Sequence, residues 1–137
     1  MKKIFKVSVL CFFIISLFAS VGCEKTKDYE DLLLAHIWYW DGMTTTSTNE
    51  DILNIVALTN ALMASATLEF HADGTYTLTL GDEVDSDVWE LYNDNEMLKM
   101  GEDEMTLVKL TEEELVVSGE AVSTQYGAYD FTMSWKK

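Results

Sequence analysis

Leu68-Glu69-Phe70-His71-Ala72-Asp73-Gly74-Thr75-Tyr76-Thr77-Leu78-Thr79-Leu80 decides how this chain is read. Leu68 and Phe70 alternate with Glu69 and His71, Ala72-Asp73-Gly74 interrupts, and Tyr76, Leu78 and Leu80 then alternate with threonines. A period of two places one set of side chains on each face of a strand. An Asp-Gly between two such runs is a strong hairpin signal, because glycine takes the positive φ of a tight turn without a steric penalty.

The same form recurs towards the C-terminus. Residues 81–87 read as an acidic loop, and residues 88–92 as a strand with Trp89 and Leu91 on one face. Residues 93–95 turn the chain into a strand at 96–100, and Gly101-Glu102-Asp103 turns it into another at 105–110. Leu107 and Leu110 both read as buried there, a spacing of three that requires a bulge or burial on both faces. A strand at 115–118 follows. The last strand, 123–135, sets Tyr129, Phe131, Met133 and Trp135 against Asp130, Thr132 and Ser134.

Upstream of the hairpin, residues 36–46 read as the first strand, with Trp38 and Trp40 on one face and Ile37, Tyr39 and Asp41 on the other. Between them and the hairpin, residues 51–66 have helical spacing, with Ser47 or Thr48 as cap and Glu50 or Asp51 near the positive helix end. Ile52, Ile55, Val56, Thr59, Leu62, Met63 and Ala66 form the stripe, and Asn54, Asn60 and Ser65 lie away from it. Leu53, Leu58 and the alanines widen the apolar area, so burial on more than one side is expected. Leu32-Leu33-Leu34 suits a short helical turn.

The expected architecture is all-β: an eight-stranded antiparallel up-and-down barrel with one α-helix between the first two strands. Short connections favour the up-and-down order, closure removes exposed edges, and the absence of proline leaves the ladders uninterrupted. The chain also resembles the lipocalin-like domain family of small bacterial lipoproteins. The resemblance is carried by Trp38, Leu68-x-Phe70-x-x-Asp73-Gly74-Thr75-Tyr76, Trp89-x-Leu91, Met97-x-Lys99 and Leu107-x-x-Leu110-Thr111-x-x-x-Leu115. It implies the same small barrel. These are core and turn positions without chemistry, so the resemblance implies no binding residue, and the segment 51–66 is a departure from it.

The N-terminus supplies an address. Met1-Lys2-Lys3-Ile4-Phe5-Lys6 is a positive start, residues 7–18 are largely apolar, and small residues precede Cys23. A run this short falls below the ~20 residues a helix needs to cross a bilayer, and reads as a secretory signal. Ser20-Val21-Gly22-Cys23 resembles a bacterial lipobox, which implies cleavage before Cys23, diacylglycerol on its thiol and an N-linked acyl chain such as palmitate. Expected boundaries are a signal peptide at 1–22, a lipid-anchored tether at 23–31 and the barrel at 32–137. The expected site is the envelope of a Gram-negative bacterium, at the outer membrane. Lys27-Asp28-Tyr29-Glu30-Asp31 loosely resembles the acidic export signals of surface lipoproteins.

Cys11 would leave with the signal and Cys23 would be acylated, so the mature chain has no thiol for a disulfide, metal or nucleophile. Removal of Lys2, Lys3 and Lys6 leaves six lysines, no arginine and 24 acidic residues, a formal charge of −18. That argues against nucleic acid and against a polybasic grip on anionic lipid. The membrane partner is reached through the anchor alone.

His36 and His71 are the only histidines and stand in no ligand pattern for zinc. Asp82, Glu83, Asp85 and Asp87 do not follow the order of a calcium loop. Neither a catalytic triad nor a distinctive carboxylate pair stands out, so the expectation is a non-enzymatic protein without metal or cofactor. Trp38, Phe70, Tyr76, Trp89, Tyr129, Phe131 and Trp135 are candidates for a ligand pocket or for core. Barrels of this strand number occur in both forms, and so many large inward residues favour a filled or nearly filled interior. Two functions stay open: a barrel holding a small apolar or amphipathic ligand, and a filled barrel presenting a surface to an envelope protein partner.

Overall fold

A computed structural model describes residues 28–137. The signal peptide, Cys23 and the first part of the tether lie outside the described residues. Among those described, no helix is long and apolar enough to cross a membrane.

Helix α1 (Tyr29–Leu34) opens the described chain. Asp28 caps it by accepting from Glu30 N–H at 3.3 Å, and Glu30 and Asp31 sit in its positive first turn. The helix takes in three residues the sequence places in the tether. The elements that follow are β1 (Ile37–Thr44), α2 (Glu50–Met63), β2 (Thr67–Phe70), β3 (Thr75–Leu80), β4 (Glu83–Tyr92), β5 (Met97–Met100), β6 (Asp103–Leu110), β7 (Glu114–Ser123) and β8 (Gly127–Lys136). Each strand pairs antiparallel with the next, and β8 closes on β1 through Trp40↔Trp135 and Met43↔Met133. This is the expected eight-stranded up-and-down barrel, with α2 between its first two strands.

The Asp73-Gly74 turn forms as read. Gly74 has φ +85, and Asp73 accepts from Thr75 N–H at 3.0 Å and Thr75 Oγ1 at 2.6 Å. Trp89 clamps the turn: its backbone N–H donates to Gly74 O at 2.9 Å and its indole to His71 O at 3.1 Å. The ambiguous strand is settled by a bulge between Leu107 and Lys109. It turns Val108 outward, 57% exposed, so that Leu107 and Leu110 both face in.

Several expectations are corrected. The acidic loop shrinks to Gly81-Asp82, because Gly81 at φ +60 permits a two-residue turn and the ladder continues at Leu80↔Glu83. Helix α2 is capped by Asn49, which accepts from Asp51 N–H at 2.9 Å, rather than by Ser47 or Thr48. It stops at Met63. Ala66 instead accepts from Trp40 N–H at 3.1 Å, in line with the β1–β2 ladder. Burial of α2 is one-sided: Ile52 and Val56 are buried, whereas Leu53, Leu58 and Leu62 are 44%, 60% and 61% exposed.

Asn60, expected to lie away from the buried stripe, faces β1. It accepts from Met43 N–H at 2.7 Å and donates to Met43 O at 2.9 Å. Past the bulge at Trp40/Gly42, β1 runs beyond its pairing with β2, and the Asn60 amide takes the place of a neighbouring strand there.

The two ends of the barrel differ. At one end α1 inserts Leu33, fully buried, and Leu33 O accepts from the Trp38 indole at 3.1 Å. The other end carries α2 and the β3–β4, β5–β6 and β7–β8 turns. The first is closed and the second is the mouth.

Candidate functional site

The strand register decides which side chains share the interior. Trp38↔Leu68, Leu68↔Leu78, Phe70↔Tyr76 and Leu98↔Met105 form one inward-facing set. The expected aromatic group divides between the two halves of that interior. Trp38, Phe70 and Trp89 belong to the packed core, 0%, 3% and 9% exposed, with Phe70 and Trp89 edge to face at 5.4 Å between ring centroids. Edge-to-face contact suits the ring quadrupoles and adds to the area buried.

Tyr76, Phe131 and Trp135 line a cavity of about 620 Å³ that opens towards the mouth. Its remaining wall is mainly aliphatic and thioether: Leu68, Leu98, Leu115, Val117, Met105, and Met63 contributed by α2. The interior is therefore filled near α1 and hollow near the mouth, a combination of the two alternatives left open by the sequence. Tyr129 lies instead on a wider concavity of about 790 Å³, shared with Ser47, Thr106, Ser118 and Asp130. That one follows the outer wall, since Thr106↔Ser118 and Ser118↔Thr132 face away from the core.

Room for the cavity depends on one glycine. A Cβ at Gly119 would stand 2.7 Å from Phe131 Cζ, so the absent side chain lets the Phe131 ring lie against the wall. Asp130 is engaged separately, accepting from Thr46 N–H at 3.1 Å and Thr46 Oγ1 at 2.5 Å. These bonds hold its carboxyl below the ordinary 3.8 and tie the start of the β1–α2 link to β8.

Polar groups of the inner face were hidden in the residues read as a loop. Asp85 pairs with Leu78, Asp87 with Tyr76, and Asp103 with Met100, so all three carboxylates share the interior face while remaining exposed at its open end. Burial pushes the Tyr76 phenol above its ordinary 10.0, and the charges of Asp87, Asp85 and Asp103 raise it further. Asp87 also lies against Gly101, where a Cβ would come within 2.8 Å of its Oδ2. Inside the wall, the Trp40 indole N–H is buried without a hydrogen-bond partner among the described residues, beside Trp135 at 4.9 Å between centroids.

The histidines have local partners. His71 Nε2 is 2.9 Å from Thr77 Oγ1, and His36 packs edge-on to Trp38. Among the described residues, no group of three or more His, Cys, Asp or Glu is placed to hold a metal ion.

No protein-family model and no curated protein matches this chain. Among solved structures, the crystal structure of a DUF4847 family protein from Bacteroides vulgatus is similar at 8% identity. The match covers 77% of this chain and 96% of that one, with a TM-score of 0.47. The barrel described above rests on the strand pairing of this chain itself.

Proposed function

We propose that this chain is a lipid-anchored lipoprotein of a Gram-negative envelope, whose lipocalin-like barrel holds a small apolar or amphipathic molecule. The observation that carries the reading is the interior cavity of about 620 Å³. Small-molecule sites span roughly 300–1,000 Å³ and combine apolar walls with a few polar groups. This cavity has such walls, with polar groups at one end. Its role is read as non-enzymatic binding, without metal or cofactor.

The anchor is Cys23, acylated at the outer membrane. The five residue-to-residue steps from Cys23 to Asp28 reach at most about 18 Å, and α1 lies at the closed end of the barrel. An anchor attached there directs the mouth away from the lipid surface, open to solutes.

Titration with the neutral fluorophore N-phenyl-1-naphthylamine tests the cavity. Saturable binding that 1-dodecanol displaces is expected, and a wild-type protein that leaves the probe dark overturns the reading. Fatty-acid labelling of whole cells tests the anchor, with label lost in Cys23→Ser. The runner-up reading, a surface for an envelope protein, draws on the exposed Leu53, Leu58 and Leu62 of α2. It gains if the probe does not bind and this face is protected in the native envelope.

A further inference from the structure

We propose that this barrel receives an extended peptide segment with basic flanks, added as a strand to the free edge of β7 over residues 119–122, with one apolar side chain passing into the cavity. This goes beyond the small-molecule reading and does not rest on it, because the main chain of β7 supplies the hold.

The β6–β7 seam carries the argument. Its last pair towards the mouth is Thr106↔Ser118, yet both strands run on, β6 back to Asp103 and β7 forward to Ser123. Continued at that register, Met105, Glu104 and Asp103 would face Gly119, Glu120 and Ala121. Instead each stretch is paired on one side alone, residues 103–105 with β5 and residues 119–123 with β8. The strands part, and the wall is split from Thr106↔Ser118 to the mouth.

The interior cavity opens at this split. Asp103, Glu104 and Met105 line it from one side and Glu120, Ala121 and Val122 from the other. The concavity of the outer wall reaches the same place through Thr106, Ser118 and Gly119. Glu120 and Phe131 line both spaces, so inside and outside meet where the seam ends.

An unpaired edge presents N–H and C=O groups at alternate residues, a template for a further strand. Recognition by strand addition takes affinity from those groups and specificity from pockets for alternate side chains. Among the described residues, no main-chain hydrogen bond reaches residues 119–122 from the β6 side. Behind the edge the wall is apolar, with Met100, Met105 and Phe131, and the small Ala121 leaves room for an incoming side chain. On the outer face Val122 is 79% exposed, where a residue across from it on an added strand would cover it.

The rim sets the charge of the partner. Glu102, Asp103, Glu104 and Glu120 line the opening and are exposed, while Lys109, Lys136 and Lys137 pair elsewhere, with Glu114, Asp41 and Glu113. Carboxylates around an apolar opening complement lysine or arginine on either side of one apolar residue. They disfavour a second copy of this chain, which would set the same carboxylates against one another and carries a formal charge of −15.

The test uses the rhodamine-labelled peptide acetyl-Lys-Val-Leu-Val-Lys-amide, followed by anisotropy and by amide exchange of the protein. Saturable binding is expected, with exchange slowed at alternate residues of 119–122. N-methylation of one alternate set of the peptide amides should weaken binding roughly tenfold, and of the other set less than about threefold. Glu104→Lys with Glu120→Lys should also cost roughly tenfold, whereas Glu69→Lys with Glu90→Lys, the same change on the exposed outer face, should stay within about threefold. Absence of binding overturns the inference, as do equal effects of the two N-methylated sets, which would leave the edge without a role. Equal losses in the two double variants overturn it by assigning the attraction to net charge. Protection of the same amides that rises with protein concentration in the absence of peptide overturns it in favour of a second copy. A barrel that takes N-phenyl-1-naphthylamine but not the peptide overturns this inference alone. One that takes the peptide and leaves the probe dark supports it and overturns the small-molecule reading instead.

Discussion

Asn60→Ala probes the join between helix and barrel. The Asn60 amide makes two hydrogen bonds, at 2.7 Å and 2.9 Å, to the N–H and C=O of Met43. Each is worth about 0.5–1.5 kcal/mol net. Removing the amide also strands two main-chain groups, at about 1–3 kcal/mol each where water is fully excluded. The bonds are only part-buried, so water recovers much of the second cost. Alanine regains up to about 0.7 kcal/mol of helix propensity. The expected net loss is about 1.5–2 kcal/mol, read as a lower urea midpoint at unchanged slope. Asn60→Asp should lose at least as much, because it keeps the acceptor for Met43 N–H but sets a carboxylate against Met43 O. Asn54→Ala, an exposed position on the same helix, is the control and should be neutral or slightly stabilising. An Asn60→Ala midpoint equal to that of Asn54→Ala would refute the view that this amide stands in for a strand.

Trp89→Ala should cost about 3–5 kcal/mol, as large-to-small core changes do, because it removes the ring against Phe70 and the clamp on the hairpin turn; a midpoint like wild type would show the face to be misassigned. Gly119→Ala should drive the Phe131 ring from its wall, overpacking by about 1–3 kcal/mol and weakening probe uptake, and unchanged uptake would mean that the ring yields elsewhere. Asp73, whose carboxyl is held below 3.8 by the Thr75 hydroxyl and then the Thr75 N–H, contributes stability that is complete above the unfolded value and lost as pH falls through the folded one. The advantage of wild type over Asp73→Asn, followed by thermal melts, should therefore shrink below about pH 4; an advantage that grows on acidification would contradict the sign.

Much of the barrel was legible because its core alternates with threonine, serine and charge at a strict period of two. Leu68 to Leu80 shows both strands and the turn between them without outside help. Residues 83–89 alternate just as strictly, as Glu83-Val84-Asp85-Ser86-Asp87-Val88-Trp89. Their inward positions before Trp89 carry carboxylates, and two of the three outward ones are valines. That inverts the usual sign of the pattern, so the strand read as a loop and the acidic mouth went unseen. The period was still there to be found by counting back from Trp89. Asn60 was missed for another reason: its partner is a main chain freed by a bulge at Trp40/Gly42, and no side-chain pattern announces a bulge. The division of the aromatics into packed core and cavity wall depends on which strand ends α1 plugs, a tertiary fact.

The pairing of β1 with β8 also governs how the barrel assembles. Six of its seams are hairpins, the longest joining β7 to β8 over ten residue pairs, and a seventh, between β1 and β2, spans α2. The eighth brings Tyr39 to Lys136, across nearly the whole described chain. Closing a segment of about a hundred residues carries a length-dependent entropy cost near 4 kcal/mol, against about 1 kcal/mol for a tight turn. The hairpins therefore form early and this seam last, which makes its closure the slow step of folding. Until it closes, the sheet has two bare edges, β1 and β8, that can pair with another chain as readily as with each other. Dilution during refolding should accordingly raise the yield of monomer, with dimers exchanged at this one seam as the competing product.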